Sequence, residues 1–184
     1  MVSCIILAGG RAQRMQGQDK GLVPFSGQPL IEHVIERVTP QVDQIIISAN
    51  RNIEHYARYV DQVVADQQPD FSGPLAGIAS CLPYCQHALT LVVACDMPQL
   101  PRDLVTRLSS AIHKHEIAIV SSESRQQLVL LLKTSLLDSI ASALANNHLK
   151  IMDWINSHDT VVVEYDDKSA FINLNTLSDL SSVS

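Results

Sequence analysis

Ile5-Ile6-Leu7-Ala8-Gly9-Gly10-Arg11-Ala12-Gln13-Arg14-Met15-Gln16-Gly17-Gln18-Asp19-Lys20 is the stretch whose reading decides the fold. It opens as part of a short apolar strand, Ser3 to Leu7, and breaks at Ala8, Gly9 and Gly10. Arg11, Arg14, Gly17 and Lys20 follow, with almost nothing apolar between them. A strand that empties into a glycine-rich, cationic loop is a way to build an anion site. Glycine lets backbone N–H groups approach oxygens, and the side chains supply charge. A bound nucleoside triphosphate is the expectation. The dinucleotide pattern GxGxxG and the P-loop pattern GxxxxGK[ST] are both absent, so neither of those loops is meant. Lys20 lies ten residues past Gly10, far enough to reach back over a phosphate chain. On spacing alone, a tight turn carrying exposed basic side chains is the competing reading.

The rest of the composition makes this local basicity informative. The net charge of the 184 residues is −6, which argues against a general nucleic-acid or anionic-membrane surface, yet three of the 13 Lys and Arg fall between Arg11 and Lys20. Length, 46% hydrophobic and 17% charged residues fit one globular domain with a sizeable core. No apolar run approaches a membrane span, and the N-terminus reads as a strand rather than a signal peptide. Cys4, Cys81, Cys85 and Cys95 form no CxxC pair and read as buried thiols of a cytoplasmic protein.

Outward from the loop, elements alternate. Pro29 suits the first position of a helix carrying Leu30, Ile31, Val34, Ile35 and Val38. Strand Gln44–Ser48 ends in Ala49-Asn50-Arg51, and strand Gln62–Ala65 ends at Asp66. Pro74, after Gly73, opens a helix with Ile78 and Leu82. Ala88–Ala94 lacks alternation, as a strand buried on both faces does, and ends in Cys95-Asp96-Met97-Pro98. Pro101 opens a helix through Ile112, followed by strand Ile117–Val120. This order predicts a three-layer α/β/α, doubly wound, Rossmann-like fold with a mostly parallel sheet. Ligands of such sheets lie outside the carboxyl ends of the strands. The glycine loop, Ser48 to Asn50, Asp66 and Asp96 all follow strand ends, and that agreement carries more than any single motif. Beyond Val120 come a strand at Leu128–Leu132, a helix Leu136–Ala145 capped by Thr134, a helix Lys150–Asn156, a strand Thr160–Tyr165 and an edge segment Phe171–Thr176. Residues 1–184 are expected to form one domain: a nucleotide-binding part over about 1–120, and an acceptor-binding part over about 121–184 lying as a lobe over the sheet. Asn173 and Asn175 share one face of an extended segment; a pair of turn-forming asparagines is the alternative. Asp19 either orients Lys20 or is simply solvated.

Leu7 to Lys20, in the form LAGGxxxRMxxxDK, resembles the signature of the nucleotidyltransferases, and more closely that of the molybdenum cofactor guanylyltransferases of the MobA type. Gly27 to Leu30, Ala49 to Arg51, Asp66, Gly73 to Gly77, Cys95 to Pro98 and Phe171 to Thr176 follow the same pattern in order and spacing. The resemblance implies transfer of GMP from GTP to the phosphate of molybdopterin, with or without molybdenum, releasing pyrophosphate. It implies that Leu7, Ala8, Gly9 and Gly10 hug the nucleotide. Arg14 and Lys20 would meet phosphates, Ser48 and Asp66 the guanosine, and Asp96 both Mg²⁺ and phosphate. Lys150, Asn173 and Asn175 would serve the acceptor. Implied partners are GTP, molybdopterin, and in passing the insertion proteins and molybdoenzyme clients; no nucleic acid and no membrane is expected. The chain departs from the pattern at Gln16, Ser48 and Leu128, where glycine, asparagine and proline are usual. The rival readings are CTP or a sugar phosphate in place of GTP or the pterin, and a non-catalytic module that binds nucleotide and delivers cofactor.

Overall fold

The structure, a computed structural model, describes residues 1–9, 19–66, 73–167 and 169–174. Nine strands and six helices are defined among them. The strands are β1 (Ser3–Leu7), β2 (Pro24–Phe25), β3 (Gln28–Pro29), β4 (Gln44–Ser48), β5 (Gln62–Val64), β6 (Leu89–Ala94), β7 (Ile117–Ser122), β8 (Arg125–Lys133) and β9 (Thr160–Tyr165). The helices are α1 (Leu30–Val38), α2 (Ile53–Tyr56), α3 (Pro74–Cys81), α4 (Leu104–Ile112), α5 (Leu137–Ala145) and α6 (Ile151–Asn156). Seven strands make one sheet in the order β5-β4-β1-β6-β8-β7-β9, and β2 and β3 form a separate small hairpin. β8 runs antiparallel to β6 and β7; every other pairing in the large sheet is parallel.

The central strands are apolar on both faces because helices cover both. Successive side chains alternate between two cores. Cys4, Ile6, Leu91 and Val93 face α1 and α4, which present Ile31, Val34, Leu104 and Leu108. Ile5, Ile46 and Val92 face α3, α5 and α6, which present Leu75, Ile78, Ile140 and Trp154. The doubly wound, mostly parallel architecture is the one expected.

Four local expectations change. β8 and β9 join the sheet, β8 wedged between β6 and β7, so the later chain is not a lobe over it. An apolar run such as Leu128–Leu132 states that it is buried but not which strands flank it. Thr134 does not cap a helix; its hydroxyl donates to the His87 carbonyl (2.6 Å) and meets Thr90 Oγ1 (2.8 Å) beneath β6. Pro101 precedes its helix by three residues, since α4 begins at Leu104. Ser169–Phe171 is a 3₁₀ turn rather than the start of an edge strand.

The chain passes from β1 by way of α1 to β4 and β5 on one side, then returns to β6 on the other side of β1. The reversal creates a crevice at the carboxyl ends of β1 and β6, where open α/β sheets bind ligands.

Candidate functional site

The crevice is a cavity of about 180 Å³ lined by Leu7, Ala8, Gly9, Lys20, Ser48, Asp66, Gly73, Pro74, Gly77, Ala94, Cys95, Asp96 and Leu128. Strand hydrogen bonding carries on past the strand ends and fixes its floor. The Ala8 N–H donates to the Ser48 carbonyl (2.8 Å), Ala49 N–H to Val64 (3.0 Å) and Cys95 N–H to Leu7 (3.1 Å). Gly77 is needed for close packing there: a Cβ would sit 2.6 Å from Ser48 Oγ and 3.1 Å from Leu7 Cδ2. Gly73, just before α3, has φ +78°, a conformation glycine adopts without strain.

Asp96 is 7% exposed and is the most buried carboxylate of the site. The Lys20 ammonium forms an ion pair with its Oδ2. The Asn173 carboxamide, oriented with its NH₂ toward the carboxylate, donates to Oδ1 at 3.0 Å and Oδ2 at 3.3 Å; that orientation follows from the hydrogen-bond network. The Leu174 N–H donates to the Asp96 carbonyl at 3.1 Å, and Leu174 packs with Val23, Phe25 and Leu30. Three distant parts of the chain therefore meet at one carboxylate. Burial in this wall pushes the Cys95 thiol well above its ordinary range, with the neighbouring Asp96 charge adding to the effect, so it stays a neutral packing group.

Asp66 is held by Asn50 in a reciprocal pair. Asn50 Nδ2 donates to Asp66 Oδ2 (2.8 Å), and the Asp66 N–H donates to Asn50 Oδ1 (2.8 Å). The other oxygen, Oδ1, is buried and has no hydrogen-bond partner, an acceptor beside the cavity with capacity to spare. Asn50 was visible in the sequence only as a residue after a strand; its partner is 16 positions away, so spacing gave no signal for the pair. Burial, then the charges of Cys85 and Asp66, push the Cys81 thiol beneath Ser48 up to about 12.

Leu7, Ala8, Gly9, Lys20, Ser48, Asp66 and Asp96 thus come together in one cavity, and Asn173 joins them at Asp96. Lys150 lines a neighbouring cleft of about 580 Å³ beside α5 and α6, with Ser139, His148, Asp153 and Trp154; the carbonyl oxygen of Leu149 in that cleft lies 3.8 Å from where a Cβ on Gly73 of the first cavity would stand. Gly10, Arg14, Gln16 and Asn175 lie outside the described residues. Among the described residues no three His, Cys, Asp or Glu side chains cluster to hold a metal, and no helix is long and apolar enough to cross a membrane.

Comparison with known proteins gives the family. Residues 4–161 match the model of the MobA-like NTP transferase domain. The molybdenum cofactor guanylyltransferase of Shewanella amazonensis is 46% identical over 179 residues, covering 95% of this chain and 91% of that one. That of Shewanella putrefaciens is 43% identical over 182 residues, covering 97% and 93%. Among solved structures, molybdopterin-guanine dinucleotide biosynthesis protein A from Archaeoglobus fulgidus superposes with a TM-score of 0.80 at 24% identity, over 99% of this chain and 96% of that one. The 4-diphosphocytidyl-2C-methyl-D-erythritol synthase of Anaerococcus prevotii gives a TM-score of 0.77 at 16% identity, over 99% and 95%, a likeness of fold alone. With a family model covering most of its length and relatives above 40% identity along nearly all of it, this chain belongs to the MobA-like NTP transferases.

Proposed function

We propose that the protein is a molybdenum cofactor guanylyltransferase: it transfers GMP from GTP to the terminal phosphate of molybdopterin and releases pyrophosphate. The observation that carries this is the Lys20–Asp96 pair at the β1/β6 crevice, in a chain closely related to proteins of that name. The acceptor is a phosphomonoester whose second pKa is about 6, so it is largely dianionic at neutral pH and needs no base. What the site must supply is charge neutralisation and alignment of two anions. Leu7, Ala8 and Gly9 form the wall along the nucleotide. Asp66, held by Asn50, offers its unpartnered oxygen to N–H groups of guanine or to a ribose hydroxyl, and Ser48 lies beside it. Lys20 carries positive charge to the phosphates, and we assign the same task to Arg14.

The donors at Asp96 fit a hard divalent cation, for which we propose Mg²⁺: a nearly buried carboxylate stands beside a carboxamide, the adjacent Cys95 is kept a neutral thiol by burial, and phosphate oxygens and water complete such a shell. When bound, the cation lowers the charge repulsion between triphosphate and acceptor. We assign the acceptor's side of the site to Asn173 and Asn175, with Lys150 as a more remote contact. Four free cysteines suit a reducing cytoplasm, where the product would pass to insertion proteins and client enzymes.

The test is to incubate the protein with molybdopterin, Mg²⁺ and labelled GTP, and in parallel labelled CTP. The guanine dinucleotide and one equivalent of pyrophosphate are expected from GTP. Preferential transfer from CTP would replace the assigned base, and GTP binding without pyrophosphate release would replace the enzyme by a delivery module.

A further inference from the structure

Lys20 is gripped on both sides of its own Cα by a residue that lines no part of the cavity. Its predecessor Asp19 accepts two hydrogen bonds, from the Tyr56 hydroxyl at Oδ1 (2.6 Å) and from Asn52 Nδ2 at Oδ2 (2.9 Å). Its successor Gly21 passes so close to the same tyrosine that a Cβ there would stand 2.5 Å from the Tyr56 hydroxyl oxygen and 3.3 Å from two ring carbons. Tyr56 is fully buried, in the core under β1 and β4. A fully buried tyrosine cannot be displaced without repacking its neighbours, so it is a firm post. Burial, with the charges of Cys95 and Asp19 adding to it, holds its hydroxyl far above the usual tyrosine range, which keeps it a hydrogen-bond donor at every working pH.

This arrangement has two effects on Lys20. Backbone freedom is removed at the residues before and after it. The carboxylate next to it in sequence is also already occupied by two donors, so the Lys20 ammonium meets the Asp96 carboxylate, 76 residues away, instead of its own neighbour. Asn52 serves the same purpose from a left-handed backbone position, φ +52° at the start of α2.

We propose that Tyr56 and Asn52, acting through Asp19, are positioning residues for the phosphate-facing lysine: a clamp, anchored in the core by Tyr56 and completed at the surface by Asn52, that sets where Lys20 delivers its charge. The inference rests on the nucleotide role assigned above to Lys20, and its test separates the two. The variants are Tyr56→Phe, which removes one hydroxyl, and Asn52→Gly, which keeps the left-handed backbone and removes the amide. Each is made alone and combined with Lys20→Met. The first readout needs no ligand: the rate at which Lys20 is labelled by an amine-reactive reagent, followed by peptide mass spectrometry. The clamp predicts at least a threefold faster labelling in both single variants, with a circular-dichroism spectrum like that of the parent. The second readout is Mg²⁺·GTP affinity by calorimetry. A roughly tenfold loss is expected from Tyr56→Phe in the parent, as for one charge-assisted hydrogen bond, and less than a twofold loss in the Lys20→Met background, because the effect runs through that lysine.

Unchanged Lys20 labelling in both variants overturns the clamp. So does an equal loss of GTP affinity with and without the lysine, which would mark Tyr56 as a packing residue only. If the parent binds no GTP while the labelling rates rise as stated, the clamp stands and the nucleotide assignment falls.

Discussion

Removing either partner of the Lys20–Asp96 pair should cost unequal amounts of stability, and the direction follows from exposure. The Lys20 side chain is 25% exposed and the Asp96 side chain 11%. Lys20→Met keeps the aliphatic stem but leaves a nearly buried carboxylate, beside the Asn173 amide, without its counter-charge. Breaking a fully buried pair costs about 3–5 kcal/mol. Water reaches the lysine side, and that screening brings the expected cost to about 1–3 kcal/mol. For a chain of this size each kcal/mol moves Tm by about 2–4 °C, so a fall of roughly 2–12 °C is expected. Asp96→Asn leaves the opposite situation, an ammonium that water can solvate and a neutral amide of the same shape, and should cost about 1 kcal/mol or less. The assay is thermal unfolding with and without Mg²⁺. In Lys20→Met the cation should regain much of the loss, about 1.4 kcal/mol at ten times its dissociation constant, because the carboxylate acquires a new counter-charge. In the parent the same Mg²⁺ must compete with the ammonium and should shift Tm less. An Asp96→Asn variant that is less stable than Lys20→Met would refute the burial argument. A Tm of Lys20→Met that responds to Mg²⁺ no more than the parent would refute Asp96 as the cation's seat.

Three further outcomes are expected. The two-residue β7–β8 turn holds Glu123 and Ser124 at φ +52° and +59°, a conformation that costs ordinary side chains about 1–2 kcal/mol each, so Glu123→Asn with Ser124→Gly should raise Tm by several degrees in calorimetry. Asn50→Ala removes both bonds that aim Asp66 and should weaken GTP binding about tenfold by titration calorimetry; an unchanged affinity would count against Asp66 as a nucleoside contact. Burial pushes Cys81 up to about 12, with Cys85 and Asp66 adding to it, while burial and Asp103 push Tyr165 to about 12 against the opposing Arg107. Both groups ionise nearer 9 and 10 in the unfolded chain, so the stability they contribute is complete below pH 9 and is lost as pH rises toward 12. Unfolding temperatures measured from pH 7 to 11 should therefore fall above pH 9, and a flat profile would contradict the burial of these groups.

What the sequence made legible divides along a physical line. β1, β4 and β6 could be read because a strand covered on both faces carries an unbroken apolar run, and Ser48, Asp66 and Asp96 because they stand at or just past the ends of strands. Of the glycines in the second glycine motif, Gly77 sits where a Cβ would not fit and Gly73 turns the chain at φ +78°. Partnerships across the fold were beyond reach. Nothing in local spacing links Tyr56 with Asp19, 37 positions apart, or Asn173 with Asp96, since each contact exists only after α2 and the 169–174 segment have docked. Thr134 was misread because a hydroxyl before a helix is an equally good partner for a carbonyl beneath the sheet. Lys150 lines the neighbouring cleft beside α5 and α6, and the approach of Gly73 to Leu149 that brings the two cavities side by side leaves no mark in local spacing.

The place of β8 bears on how the molecule assembles. A parallel pairing of β7 with β6 is blocked, because β8 stands between them, and β8 follows β7 by a two-residue turn. β7 and β8 can form as a hairpin on the microsecond scale, whereas the parallel pairs β1–β4 and β1–β6 wait on closure of long chain segments. The sheet is then completed by docking a ready-made ribbon onto the exposed edge of β6. Until that happens, Leu89 to Val92, the part of β6 that β8 covers, is an open edge of the kind that recruits other chains. A slow-forming hairpin would thus show itself as aggregation during refolding rather than as loss of the finished site, and the left-handed turn at Glu123 and Ser124 is where that timing would be set.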